Sequence, residues 1–268
     1  MEASLPDPQG WREERHRALA GCGRCGVTRR DHTTEGAERG NHQVRSAGKG
    51  LHVYTISGSP RGWRVLLGLM IKQLDYRVTY LQLSAREHKS DDYLRLNPRG
   101  TVPTLVTETC TITDSLASLV WLDKTYSNAP LFGTDANEAA RVWTTTRDVT
   151  RYFRGATREL LTPIFFGPTS PDPSTLTAAV EQTKREISVL ESRLERTQAY
   201  FVGTRPTAAD IVTYPELRLV ERAIETHPKL MRELGFGTTV YRSVLLAQWR
   251  ERMESFDGFA KTLPVHWS

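Results

Sequence analysis

Cysteine is scarce in this chain, with three in 268 residues, too few for a disulfide framework. Cys22 and Cys25 form a C-x-x-C. No second such pair or spaced histidine pair completes a four-ligand zinc set, and no predicted strand precedes it as a redox motif requires. His16 and His32 flank the pair without completing it, so no metal is expected there. Cys110 stands alone in a predicted strand and reads as a small buried apolar residue. Long apolar runs are also missing. Nothing approaches the roughly 18 residues of a membrane span, and Pro6, Asp7, Pro8 and Gln9 stand where a signal peptide needs its apolar stretch. A cytoplasmic protein with no membrane partner is expected. The charge excess of +5, from 36 basic and 31 acidic residues, is scattered and forms no basic block. No nucleic-acid partner is expected from such a distribution. Internal repeats are absent. Methionine does not recur between Met1 and Met70, so Val44, Leu51 and Val53 are candidate starts if translation begins at a non-AUG codon.

What is present falls into three parts. Residues 1–50 are rich in Gly, Arg, Glu and His, poor in aliphatics and without periodicity. Such a segment buries too little apolar surface to offset its ordering entropy and is expected to be a disordered extension. Order is expected from Leu51. LHVYTI, bounded by Ser57-Gly58, reads as a buried strand. A helix from about Trp63 places Val65, Leu66, Leu69, Met70 and Leu74 on one face, and RVTYLQL reads as a second strand. A strand–helix–strand crossover of this length implies a parallel pair. A short helix over 91–96, two strands in PTLV and CTIT, and a helix over 115–125 complete a βαβαββα order.

Residues 128–134, NAPLFGT, read as a linker. Beyond them every strong pattern is helical. Ala139, Val142, Trp143, Thr146, Val149 and Phe153 share one face, as do Leu176, Val180, Thr183, Ile187, Leu190 and Leu194. Thr207 and Asp210 form a capping-box signature ahead of a further helix, with Pro215 inside it. The predicted fold is therefore α/β from 51 to 128 and an all-α helical bundle from 135 to 268.

The densest chemistry lies in 88–115, HKSDDYLRLNPRGTVPTLVTETCTITDS. Ser115 opens a helix, where the backbone N–H groups and positive dipole end favour a carboxylate. Asp114 beside it suits an ammonium group. Val102 precedes Pro103, the bond type that readily turns cis, and its backbone is then placed to pair with an extended ligand like an added strand. His88 and Lys89 form a basic loop suited to a second carboxylate. A surface loop, an ordinary turn and a helix cap are the alternative readings of these three features.

Five motifs in this order resemble the cytosolic-type glutathione S-transferases: SGSPRGWRVLLGL, EHKSDDYLRLNPRGTVPTLV, TDSLASLVWLD, YFVGTRPTAADIVTYPEL and GFAKTLPVHW. The resemblance covers Leu51 to the C-terminus and is to the phi-, theta- and zeta-like bacterial members. It implies a thioredoxin-like glutathione-binding domain followed by a helical domain, a homodimer, and detoxification of a small electrophile with glutathione as co-substrate and no metal. It implies that His88, Lys89, Thr101, Val102, Pro103, Asp114 and Ser115 bind glutathione, with the Val102–Pro103 bond cis. The thiolate-stabilising hydroxyl is placed at Ser59, four residues before Trp63, with Ser57, Tyr54 and Arg61 as alternatives. Pro60 and Arg61 replace the serine–cysteine pair of the zeta pattern, which argues against that class's isomerase activity. Tyr152, Phe153, Phe165 and Phe166 are candidates for the electrophile pocket, and Arg151 and Arg154 hint at an acidic electrophile. Peroxide reduction, dehalogenation and isomerisation are open on the same fold, as is a non-catalytic ligand- or partner-binding module.

Overall fold

The computed structural model describes residues 50–167 and 170–267, all within one compact unit. The C-x-x-C and the expectation of a disordered extension over 1–50 lie outside the described residues, save Gly50. In the first half, strand β1 (His52–Thr55) leads into helix α1 (Pro60–Ile71) and strand β2 (Arg77–Tyr80). A 3₁₀ turn at Glu87–Lys89, helix α2 (Asp91–Leu96), strands β3 (Thr104–Val106) and β4 (Thr111–Ile112) and helix α3 (Ser115–Thr125) follow. The sheet order is β2-β1-β3-β4, with β1 and β2 parallel and β3 antiparallel to both β1 and β4. This is the thioredoxin-like arrangement.

Helix α1 starts three residues before Trp63, because Ser59 caps it and Pro60, which needs no N–H partner there, takes its first position. Its burial is not confined to one face: Gly62 through Ile71 are all buried. It lies between the sheet, α3 and a helix of the second half, so a continuous apolar run serves it better than a stripe. Gly62 permits the approach to the sheet, since a Cβ there would sit 1.7 Å from Thr55 Oγ1. Cys110 corrects its prediction: it is exposed in the turn between β3 and β4.

Buried Lys72 fixes the junction between the halves. Its Nζ donates to Asp123 Oδ1 at 2.9 Å and to the Tyr126 and Asn128 carbonyls at 2.7 Å each. Asp123 Oδ1 also accepts from the Leu131 N–H at 2.6 Å. The second half is helical: α4 (Ala136–Asp148), a π-helical turn (Val149–Phe153), α5 (Arg154–Phe166), α6 (Thr177–Thr197), α7 (Ala208–Thr226), α8 (Pro228–Glu233) and α9 (Val244–Glu254). Helix α7 runs against α1, α4, α5 and α8. The predicted capping box is present at its start. Fully buried Asp210 accepts from the Thr207 and Phe201 N–H groups and from Trp249 Nε1 at 2.8–2.9 Å. All six residues of the predicted stripe are buried, five of them on helix α6 and Leu176 in the 3₁₀ turn just before it. On α4, Trp143 departs from the predicted buried face: it is 37% exposed and stacks on Phe132 at 4.7 Å.

Candidate active site

Strand register gathers the predicted site residues at one end of the sheet. Thr55 ends β1 opposite Tyr80 at the end of β2, so the turn holding Ser57 and Ser59 and the loop leading to His88 and Lys89 leave from the same edge. Tyr54 pairs with Thr104 at the start of antiparallel β3, which brings Val102 and Pro103 to that edge. Ile112 pairs with Leu105, and β4 runs back to the same edge before Asp114 and Ser115. The N-termini of α1 and α3 both open here, two positive dipole ends facing one place.

Each group is held by local chemistry. Asp114 caps α3, its Oδ1 accepting from Leu116 N–H at 2.9 Å and Ala117 N–H at 3.0 Å. The adjacent Ser115 is 2% exposed, and neither its N–H nor its hydroxyl is paired among the described residues. The Val102–Pro103 peptide is cis, as the resemblance implies. Neither the N–H nor the carbonyl of Val102 enters a backbone hydrogen bond among the described residues. The turn before it is fixed by two residues that sequence reasoning missed. Tyr93 donates from its hydroxyl to the Thr101 carbonyl at 2.6 Å, and Asn97 Nδ2 donates to the same carbonyl at 2.7 Å. They lie four apart on and just after α2, a helical spacing visible within the quoted motif. Burial raises the Tyr93 phenol above its usual value, which keeps it a donor. Lys89 Nζ donates to the Arg99 carbonyl at 3.1 Å, bringing the basic loop to the Thr101 turn. His88 Nδ1 is buried without a hydrogen-bond partner among the described residues.

The four candidates for the thiol-facing group separate. Ser59 is the cap of α1, its hydroxyl accepting from Gly62 N–H at 3.4 Å. Ser57 accepts from Val265 N–H at 3.1 Å and lies 3.0 Å from His266 Nδ1, contacts made by the last residues of the chain. Tyr54 faces the α2 side of the sheet, its ring 4.2 Å from His52 and 6.1 Å from Tyr93. Arg61 belongs to a charged cluster. Desolvation and Arg154 pull its guanidinium below the usual value, Arg158 adds to that, and Glu216 and Asp114 oppose it. Beneath it, Glu216 Oε1 accepts from Arg64 at 2.7 Å and Arg154 at 2.6 Å. Arg154 is therefore an ion-pair partner of a buried carboxylate and not a solvated residue.

The proposed electrophile wall divides too. Phe153 is 1% exposed and packs into the apolar core. Tyr152 is half exposed with Arg151 over its ring at 5.4 Å. Phe165 and Phe166 end α5, their rings 6.5 Å apart, with His227 against Phe165 at 5.8 Å. A cavity of about 10 Å³ lies between Ser59, Gly58 and Trp63 on one side and Thr262 and Pro264 on the other. No group of three or more His, Cys, Asp or Glu residues able to hold a metal occurs among the described residues.

Two family signatures match in the order the architecture requires. The N-terminal domain of glutathione S-transferases matches residues 58–125 and the C-terminal domain of the same proteins matches 157–235. The chain belongs to the glutathione S-transferase family. Human glutathione S-transferase theta-1 is 27% identical over 193 residues, 69% of this chain and 74% of that one. Poplar glutathione transferase F1 superposes with a TM-score of 0.67 at 20% identity, covering 80% of this chain and 96% of that one. Ure2p in complex with glutathione superposes with a TM-score of 0.66 at 19% identity, covering 80% and 94%. These two structural likenesses speak for the fold alone. The transferase signatures begin and end inside the described residues, and the first spans Ser59, Val102 and Ser115.

Proposed function

We propose that this family member binds glutathione and activates its thiol for attack on a small electrophile. The observation that carries the reading is the register-driven convergence at one end of the sheet of the unpaired Ser115 at the start of α3, the Val102 backbone, and the Ser59–Pro60 entry to α1. Ser115 N–H and hydroxyl receive the γ-glutamyl carboxylate, and the free Asp114 oxygen receives the ammonium. Val102 pairs with the cysteinyl backbone. Lys89, with His88 and Thr101, takes the glycyl carboxylate. The thiol then lies at the entry to α1, where the Ser59 O–H donates to the sulfur and favours the thiolate, the nucleophilic form. Catalysis follows from holding both reactants and stabilising the charged sulfur.

Retention on immobilised glutathione, followed by turnover of chlorodinitrobenzene and hydroperoxides, tests the reading. Retention and turnover are expected, and absence of both overturns it. A second reading, a glutathione-fold module that binds without turnover, draws on the tight cover of the Ser57–Ser59 turn by the chain's own end. Retention with no turnover of any electrophile would favour it. We also propose a cytoplasmic homodimer, by the family resemblance, joined through α3 and the β3–β4 hairpin. Light scattering at micromolar concentration is expected to give twice the chain mass, and a monomer overturns the proposal.

A further inference from the structure

The last residues of the chain are seated on the turn that carries the candidate hydroxyls. Trp267 packs edge-on against Trp63 at 5.4 Å and lies under the guanidinium groups of Arg218 at 5.8 Å and Arg222 at 5.7 Å. Thr262 Oγ1 accepts from Trp63 Nε1 at 3.1 Å. Gly58 is the point of closest approach: a Cβ there would meet His266 Cε1 at 3.0 Å. The contact is thus specific to a residue without a side chain at 58.

The hydrogen bonds in this contact have a fixed direction. An indole nitrogen only donates, and Trp267 Nε1 donates to His266 Nε2 at 3.0 Å. Nε2 is therefore the bare ring nitrogen, and Nδ1 carries the hydrogen. His266 Nδ1–H, 3.0 Å from Ser57 Oγ, is the donor in that pair. Ser57 Oγ also accepts from Val265 N–H at 3.1 Å. A serine hydroxyl has two lone pairs and one hydrogen. Both lone pairs are engaged, and only the O–H remains, with no acceptor among the described residues. Hydrogen bonds accepted by a hydroxyl polarise it and strengthen it as a donor.

We propose that Ser57 is a second hydrogen-bond donor to the reacting sulfur and that His266, through Ser57, is the positioning residue that aims it. The inference rests on the glutathione-activating reading above. Ser57 is two residues from Ser59 in the same turn, and the relay Trp267–His266–Ser57 runs towards that turn from the far end of the chain. Without the tail, the Ser57 hydroxyl would rotate among solvent partners. With it, one orientation is left, and that orientation meets no acceptor among the described residues. The proton is shared with the thiolate and not transferred, so no further reactant is required.

The test uses the full chain with Ser57→Ala, His266→Phe and His266→Asn, the last keeping an N–H close to the place of Nδ1–H. Ultraviolet absorbance of the bound thiolate is titrated against pH, alongside kcat and glutathione KM. In Ser57→Ala and His266→Phe the titration midpoint is expected to rise. Turnover at neutral pH is expected to drop about tenfold, the order of one hydrogen bond to a charged group, with glutathione KM little changed. His266→Asn is expected to retain most of the wild-type behaviour. The double variant Ser57→Ala/His266→Phe is expected to be no worse than Ser57→Ala, because the two act as one unit. An unshifted midpoint in Ser57→Ala overturns the proposal. So does a His266→Phe variant that alters only melting temperature or electrophile KM, for then the tail is a structural cover. If the wild-type protein takes up no glutathione, the parent reading fails and this one with it. A normal wild-type titration beside an unshifted Ser57→Ala removes this inference alone.

Discussion

At the residue scale, the proposed function gives Ser115 and Ser59 different duties towards one ligand, and their loss is expected to look different. In that proposal Ser115 holds a carboxylate in the ground and transition states alike, so Ser115→Ala is expected to raise glutathione KM with a smaller change in kcat. One charge-assisted hydrogen bond is worth roughly 1.5–3 kcal/mol, or about ten- to a hundredfold in binding. Ser59→Ala is expected to slow turnover at neutral pH and recover as pH rises and the thiol ionises unaided. A pH–rate profile unchanged from wild type would remove Ser59 from the mechanism. The start of α3 and the cis Val102–Pro103 bond were legible because their signals are local: an acidic–serine pair before an apolar run, and a Val-Pro step before a strand. Tyr93 and Asn97 were not singled out, since their role is to fix a turn reached only after folding. His266 lay in a motif read as family closure, and nothing in its neighbours points to a serine more than two hundred positions earlier.

At the element scale, the start of α4 carries a pH-dependent clamp. The Thr134 N–H donates to Glu138 at 2.8 Å, and Arg205 Nη2 reaches both of its carboxylate oxygens at 2.7 Å. The Thr134 bond chiefly holds the Glu138 carboxyl below its ordinary value of 4.5, with Arg205 helping and burial opposing. A depressed carboxyl stabilises the fold fully above its unfolded value and loses that contribution as pH falls through the folded one. Wild type is therefore expected to lose stability relative to Glu138→Gln as pH is lowered below about 4.5. Denaturant midpoints for both proteins from neutral pH down to the acid range check this, and parallel curves would refute it. Element types were largely readable, because periods of two and near four separate strands from helices. Helix α3 falls on the predicted 115–125. Helix α1 starts three residues before the predicted Trp63, because a serine cap and a proline at the first position carry no apolar period to mark them. The π-helical turn left no mark in the pattern.

At the scale of the whole molecule, the two halves are joined through a buried ion triad as well as apolar contact. Glu216 is 1% exposed and Arg64 2% exposed, so neither has water to fall back on. Removing one partner of such a pair leaves a buried charge uncompensated, typically at about 3–5 kcal/mol. Glu216→Ala is expected to be destabilised on that order. Glu225→Ala, whose ion pairs with Arg218 and Arg222 are longer, at 3.4 and 3.6 Å, is expected to change stability by less than about 1 kcal/mol. Equal losses in thermal or denaturant melts would contradict this account. The triad was invisible beforehand: Arg64 and Glu216 are separated by 152 positions, and charged residues carry no period that announces a buried partner.

The π-helical turn between α4 and α5 gives this long helix spare length. Arg154 N–H reaches back to the Val149 carbonyl, one residue further than an α-helical bond would reach. Deleting Thr150 is expected to let the turn close into ordinary α-helix, leaving Val142 and Leu160 on their original faces. Deleting Arg141 instead, in the regular part of α4, would turn everything beyond it by about 100° and carry Arg154 away from Glu216. The first deletion is expected to melt close to wild type and the second far below it; the reverse order would show that the turn holds no slack. A chain with this feature is expected to absorb a change of length in the middle of a buried helix.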